Sequence, residues 1–320
     1  MSTLPRHIVT VLGAVPATLA GLVDAHGHVW IAPEPGVEPG GPVLNDPTRS
    51  LSEVRAYGAA GGAALVDCQP GGAGRDGRML AWLSRESAVP IVACTGFHRR
   101  RYHPAETGLW TRPEEALTQH FLEELDPTVG LAECRGDLRP VAAGYLKVAI
   151  EATLEASPVG ALAAAAHAAA HTGAGVQIHT EQGARAEAVV DFFLKRGVAP
   201  DRLVVCHIDK RPDPGLHVAL AQTGVTLEYD TFYRPKYDPE RNLWPLIDHM
   251  VAAGLAGSVA LACDMAESAQ WAAYGGGPGL AAFPTQIPAR LAARGIPLES
   301  IARMTGGNIL RVLARPAPVS

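Results

Sequence analysis

GLVDAHGHVW, residues 21–30, runs an apolar stretch into two histidines separated by one glycine. The first strand of an open doubly wound sheet normally ends in a glycine-rich phosphate turn, and DAHGHVW is not one. In an extended strand residues i and i+2 point the same way, so His26 and His28 share one side while Gly27 leaves the backbone free to pack closely. Seven further apolar runs follow: ALVDCQ (64–69), IVACTG (91–96), YLKVAI (145–150), VQIHT (176–180), LVVCHI (203–208), TLEYDT (226–231) and VALACD (259–264). Helical periodicity fills the intervals, over 50–60, 77–87, 113–125, 159–172, 184–196, 214–223, 241–254 and 285–294, with a closing helix near 308–314. Eight near-continuously apolar strands alternating with helices predict parallel strands buried on both faces. The economical closure is an α/β fold of the (β/α)8 TIM-barrel type, a single domain over 1–320.

Composition narrows the function. With 48% hydrophobic and 18% charged residues the chain can bury a large core. A net charge of −5 without a long run of one sign argues against nucleic-acid or membrane partners. Cys68, Cys94, Cys134, Cys206 and Cys263 are scattered and odd in number, which predicts reduced, buried thiols and a cytoplasmic setting. Pro5, Gly13 and Pro16 interrupt the N-terminal region, and no stretch reaches the ~20 apolar residues of a membrane span. The only low-complexity stretch is the short proline-containing end, RPAPVS.

A barrel enzyme works at the carboxyl ends of its strands. His26 and His28 end the first strand, Lys147 lies in the fourth, His179 ends the fifth, His207 the sixth and Asp264 the eighth. Each is an expensive side chain to bury without a partner. Together they supply imidazole and carboxylate ligands suited to zinc, manganese, iron or cobalt. Lys147 would repel a cation as an ammonium. It fits as a carbamate, N6-carboxylysine, formed with carbon dioxide after the amine loses its proton in a low-dielectric, metal-rich setting that depresses its pKa, and such a group can bridge two metals. Cys206 and Cys263 directly precede proposed ligands, so strand alternation predicts that both turn away from the metals. His167 and His171 are four apart on an alanine-rich outer helix, which places them far from the centre.

With these residues in place, the chain resembles the phosphotriesterase family of the amidohydrolase superfamily. The likeness runs from TVLGAVPATLAGLVDAHGH through CTGFHRRRYHP, AAGYLKVAI, VQIHTEQG, CHIDKRPDPGLHVALAQTGVTLEYD and ACDM to YGGGPGL and TGGNILRVL. The resemblance implies two divalent ions, zinc foremost and manganese, cobalt or iron as alternatives. His26, His28 and Asp264 would hold one ion and His179 and His207 the other, with carboxylated Lys147 and a hydroxide bridging them. It places Asp209 behind the ligands as a support, and allows a homodimer. CHIDKRPD, YDTFYRPKYDP and YGGGPG resemble the branch that opens phosphorylated sugar lactones. Two positions depart from that pattern. His98 stands where lactonase relatives commonly carry tyrosine, and DMAES lacks a basic residue that the sugar-phosphate branch tends to place after the aspartate.

The expected activity is metal-dependent hydrolysis of a small-molecule sugar or acyl lactone, anionic or phosphorylated, by a metal-bridging hydroxide. Asp264 would take the proton and hand it toward the leaving alkoxide. Phosphotriester, phosphodiester or other ester hydrolysis at the same centre is the alternative. Arg99, Arg100, Arg101, Arg234 and Lys236 are candidates for a substrate carboxylate or phosphate, Lys236 above all because it matches a lysine of the sugar-phosphate branch. Tyr233 and His98 are expected to line the pocket beside it.

Overall fold

The computed structural model describes residues 6–37 and 39–316, so all but the first two residues of RPAPVS lie outside it. The chain enters through an antiparallel hairpin, β1 (Arg6–Thr10) and β2 (Gly13–Pro16), and β12 (Arg315–Pro316) pairs on the free edge of β1. Ile8 of the hairpin joins Val23, Val66, Val92 and Leu313 in one apolar cluster, and Val11 N donates to Ile91 O at 2.9 Å. The hairpin thus plugs the amino end of a barrel.

The barrel strands are β3 (Leu22–Gly27), β4 (Gly62–Asp67), β5 (Ile91–Val92), β6 (Cys94–Gly96), β7 (Tyr145–Ala149), β8 (Val176–His179), β9 (Leu203–Cys206), β10 (Thr226–Tyr229) and β11 (Val259–Leu261). They pair in parallel as β3-β4-β5 and as β6-β7-β8-β9-β10-β11. The pieces β5 and β6 form one stave interrupted at Ala93, whose carbonyl accepts from Gly144 N at 2.8 Å. The remaining seam is bridged by Asp264 N donating to His26 O (3.0 Å) and by Cys263 N donating to Asp24 Oδ1 (3.2 Å). Closure of this eight-stave TIM barrel therefore runs through the segments that carry the proposed ligands.

Helices α1 (Pro47–Ala59), α2 (Gly77–Ser87), α3 (Glu114–Leu125), α4 (Val159–Thr172), α5 (Ala186–Leu194), α6 (Pro214–Gln222), α7 (Leu243–Ala252) and α8 (Ala282–Ala293) form the outer ring. Asp46, Asp76 and Asp213 cap α1, α2 and α6 by accepting from first-turn amides, which fixes where three of the loops end. The interior splits into two apolar layers, one inside the barrel and one between staves and helices. His167 lies on the outer face, 3.1 Å from Glu114 of the neighbouring helix. All five cysteines are free and buried, and no helix among the described residues is long and apolar enough to cross a membrane.

Gly96 shows how tightly the staves are drawn together at the fourth one. Its φ is +113°, and a Cβ there would lie 1.9 Å from Lys147 O, the carbonyl that accepts from Phe97 N at 2.8 Å. Gly27 is less demanding than its place between two histidines suggests: a Cβ would stand 3.4 Å from Val66 O.

Candidate metal centre

His26 lies in β3 and His28 just beyond it, while His179 is the last residue of β8. His207 and Asp264 follow the ends of β9 and β11 and carry φ values of +62° and +48°. A non-glycine residue in that region costs roughly 1–2 kcal/mol, a strain held at two of the six proposed ligand positions. It also ends the strand alternation one residue early. Cys206 accordingly faces the barrel interior, with its sulfur beside His26 and Glu228, whereas Cys263 packs in the outer layer. Turning away from the centre, as alternation predicts for both thiols, is corrected for Cys206.

The six side chains meet at the carboxyl mouth of the barrel. His26 Nε2 and His28 Nε2 stand 3.8 and 3.4 Å from Asp264 Oδ1. Lys147 Nζ is 3.0 Å from His26 Nε2, and His179 Nδ1 is 2.9 Å from His207 Nε2. Asp264 Oδ2 is 3.8 Å from His207 Nδ1, so this carboxylate stands between the two histidine groups.

Three of the imidazoles are set up as ligands by partners on their other nitrogen. Glu228 Oε1 accepts from His26 Nδ1 (2.6 Å), Gln69 Oε1 from His28 Nδ1 (3.0 Å), and Asp230 Oδ2 from His207 Nδ1 (2.6 Å). Gln69 is oriented in turn because its Nε2 donates to Ala73 O. Each arrangement leaves an Nε2 lone pair aimed into the mouth, as metal ligation requires. Burial holds His26, His207 and His179 below the ordinary imidazole range, which keeps them neutral.

The charge balance also fits divalent cations. Burial pushes the Glu228, Asp230 and Asp209 carboxyls up, Asp209 to about 7, and Asp230 adds to the effect on the other two. Glu228 Oε2, Asp230 Oδ1 and His179 Nε2 are buried without a hydrogen-bond partner. Extra positive charge at this point would relieve all three carboxyls. Asp264 behaves differently: burial opposes its anion, but Arg234 and the histidines outweigh burial and hold the carboxyl well below its usual range. For Lys147, burial opposes the ammonium while the Glu228 carboxylate favours it.

A cavity of about 700 Å³ opens over these groups. His98, Arg234 and Lys236 line it, as do Arg101, Tyr102 and Lys210. The His98 ring packs 4.8 Å from that of His179, and its Nδ1 accepts from Arg99 N (2.7 Å), leaving the Nε2 edge as a donor. Arg234 donates to Asp264 Oδ2 (2.8 Å) and to the Asp264 carbonyl, so it grips a proposed ligand besides facing the cavity. Tyr233 is a correction. Beyond β10 the chain turns, with Arg234 N donating to Thr231 O, and the Tyr233 hydroxyl donates to Gln286 Oε1 of α8 at 3.2 Å, away from the cavity. Arg99 is spent on Glu151 and Glu181, and neither Arg99 nor Arg100 lines the cavity. Asp209 supports the centre at one remove: its Oδ2 accepts from the amides of Asp230 and Thr231 and from the Thr231 hydroxyl.

A model of the phosphotriesterase family matches residues 7–313. The chain belongs to the phosphotriesterase family. Family relatives include a phospho-furanose lactonase of Mycoplasmopsis synoviae, 26% identical over 280 residues that cover 80% of this chain and 75% of the relative. An N-acetyltaurine hydrolase of Bos taurus is 26% identical over 339 residues, covering 92% and 94%. The crystal structure of an amidohydrolase from Mycoplasma synoviae superposes with a TM-score of 0.89 at 26% identity, over 97% of this chain and 92% of that one.

Four groups at the centre escape a strand-by-strand reading: Glu228, Asp230, Gln69 and Lys210. The two acids carried a signal, since TLEYDT places carboxylates at i and i+2 in an apolar strand, the same costly spacing as the histidine pair. Lys210 Nζ stands 3.7 Å from Asp230 Oδ1 and 3.9 Å from Asp264 Oδ2. Gln69 carried none, because its partner His28 is 41 residues away.

Proposed function

We propose that this chain is a binuclear-metal hydrolase that opens a lactone ring. The observation that carries the reading is the Asp264 carboxylate set between two histidine groups, with Oδ1 toward His26 and His28 and Oδ2 toward His207. His26, His28 and Asp264 would hold one divalent ion and His179 and His207 the other. When bound, the two ions acidify water toward neutral pH and polarise the carbonyl oxygen under attack. Zinc suits this donor set, and manganese, cobalt or iron satisfy the same ligands.

Lys147, as N6-carboxylysine, would add an anionic ligand to this set. As a bare amine it stands 3.0 Å from His26 Nε2 and competes for the lone pair a metal needs. Reaction with carbon dioxide, the amine giving up a proton, would turn that competitor into an anionic oxygen donor. Asp264 takes the water's proton as attack proceeds and passes it toward the departing alkoxide, while Arg234 orients the carboxylate from Oδ2. The His98 Nε2 edge faces the cavity as a hydrogen-bond donor to substrate.

The relatives named phospho-furanose lactonase favour a sugar lactone with an anionic group. Lys236 and Lys210 supply the positive wall it needs. Buried free thiols suit a reducing, cytoplasmic setting. A pH-indicator screen of lactones, phosphorylated and plain, against aryl phosphotriesters tests the reading. Lactones should exceed triesters in kcat/KM by ~100-fold or more. Triesters ranking first, or no ester of either kind being cleaved at full metal loading, would overturn it.

A further inference from the structure

Beside the main cavity lies a second, apolar space of about 300 Å³, and the two meet at Gln69, Tyr102 and the 40–43 segment. Its wall comes from an excursion of the chain between β3 and α1, residues 32–37 and 39–43, with four prolines and three glycines. An antiparallel bridge pins the neck: Ile31 N donates to Leu44 O (2.9 Å) and Leu44 N to Ile31 O (3.0 Å). Ala32 N donates to Gly74 O (2.8 Å), and Glu34 Oε1 accepts from Gly74 N (2.7 Å), which ties the excursion to the loop after β4. With Glu34 so engaged, Ile31, Pro33, Val37, Pro39 and Val43 give the space an apolar lining.

The placement of charge around the mouth gives this space its meaning. Its lining comes from loops after the first three staves, β3, β4 and β6, whereas Lys210, Arg234 and Lys236 follow the sixth and seventh, β9 and β10. In a closed ring of eight staves these lie on roughly opposite sides, with the histidines and Asp264 between them. Arg101 marks the border, its guanidinium 4.7 Å from the centre of the Tyr102 ring.

We infer that the annex is a substrate subsite for an apolar arm, so that the preferred lactone is two-faced: an anionic group toward Lys210 and Lys236, and a short alkyl or aryl substituent in the annex. An apolar cavity of about 150 Å³ takes a benzene ring, so this one has room for a phenyl- or hexyl-sized group. The inference rests on the hydrolase reading and adds the second half of the substrate.

A homologous series of lactones with substituents from methyl to hexyl tests it in wild type, Val37→Trp and Pro33→Phe, the second filling variant guarding against a remodelled loop. In wild type kcat/KM should rise about two- to fourfold per methylene. The filled variants should lose that rise and leave the methyl lactone unchanged. The matching ring-opened hydroxy acids, titrated calorimetrically against the same proteins, read the annex whether or not a ring is opened. Affinity that climbs with chain length and is flattened by filling supports the subsite, even if no lactone is turned over and the hydrolase reading falls. Lactones opened with no length dependence in rate or product affinity would overturn the subsite alone.

Discussion

Asp264→Asn lowers kcat/KM for lactone opening by about 10³-fold or more, some 4 kcal/mol of transition-state stabilisation. Its carboxylate reaches both histidine groups of the centre. Oδ1 is 3.4 Å from His28 Nε2, while Oδ2 is 2.8 Å from Arg234 and 3.8 Å from His207 Nδ1. The amide keeps the shape but removes the anion, so in the proposed mechanism one ion would lose a charged ligand and the attacking water its proton acceptor. Kinetics and metal content measured on the same preparation check this. A fall below about tenfold would show that Asp264 neither ligates nor accepts the proton.

Arg75→Met should destabilise the fold by about 3–5 kcal/mol, the cost of leaving buried carboxylates unpaired, and lower the melting temperature by roughly 5–15 °C. The Arg75 guanidinium is buried and fully engaged. It donates to both Glu124 oxygens (2.9 and 2.6 Å), to both Glu133 oxygens (2.8 and 2.7 Å) and to Cys94 O (2.7 Å). Burial opposes the Glu124 anion, but Arg75 and the Thr95 hydroxyl outweigh it and bring the carboxyl down to about 2. A folded-state value below the unfolded one means stability that is complete above about pH 4.5 and is lost as pH falls toward 2. In Arg75→Met the sign reverses. Glu124 would then be a buried, unpaired acid whose value rises, so mild acidification to about pH 5 should recover part of the lost stability. Thermal denaturation of both proteins between about pH 4 and 8 reads both effects, and identical profiles would refute the account of this pair.

Much of this architecture is legible in the residues because the barrel obeys a simple rule. Apolar staves recur, and the costly side chains stand at their carboxyl ends, as His26, His179 and Asp264 do. Where that rule stops, so does legibility. Tyr233 follows the end of β10, so period two no longer says which way it points, and a turn sends it to α8. The left-handed backbone at His207 breaks the alternation that would have turned Cys206 away. Gln69 and Arg75 act through partners 41, 49 and 58 residues distant, and nothing local marks such pairings. The β1–β2 hairpin is hidden for a different reason: Gly13 and Pro16, which break the N-terminal pattern, belong to β2.

Elemental analysis joined to anomalous diffraction on the metal-loaded protein tests the central claim most directly. About two divalent ions per chain should appear, one against His26, His28 and Asp264 and one against His179 and His207, with a carboxylated Lys147 between them. A single ion at saturating metal, or two ions away from these side chains, would contradict the account at its root.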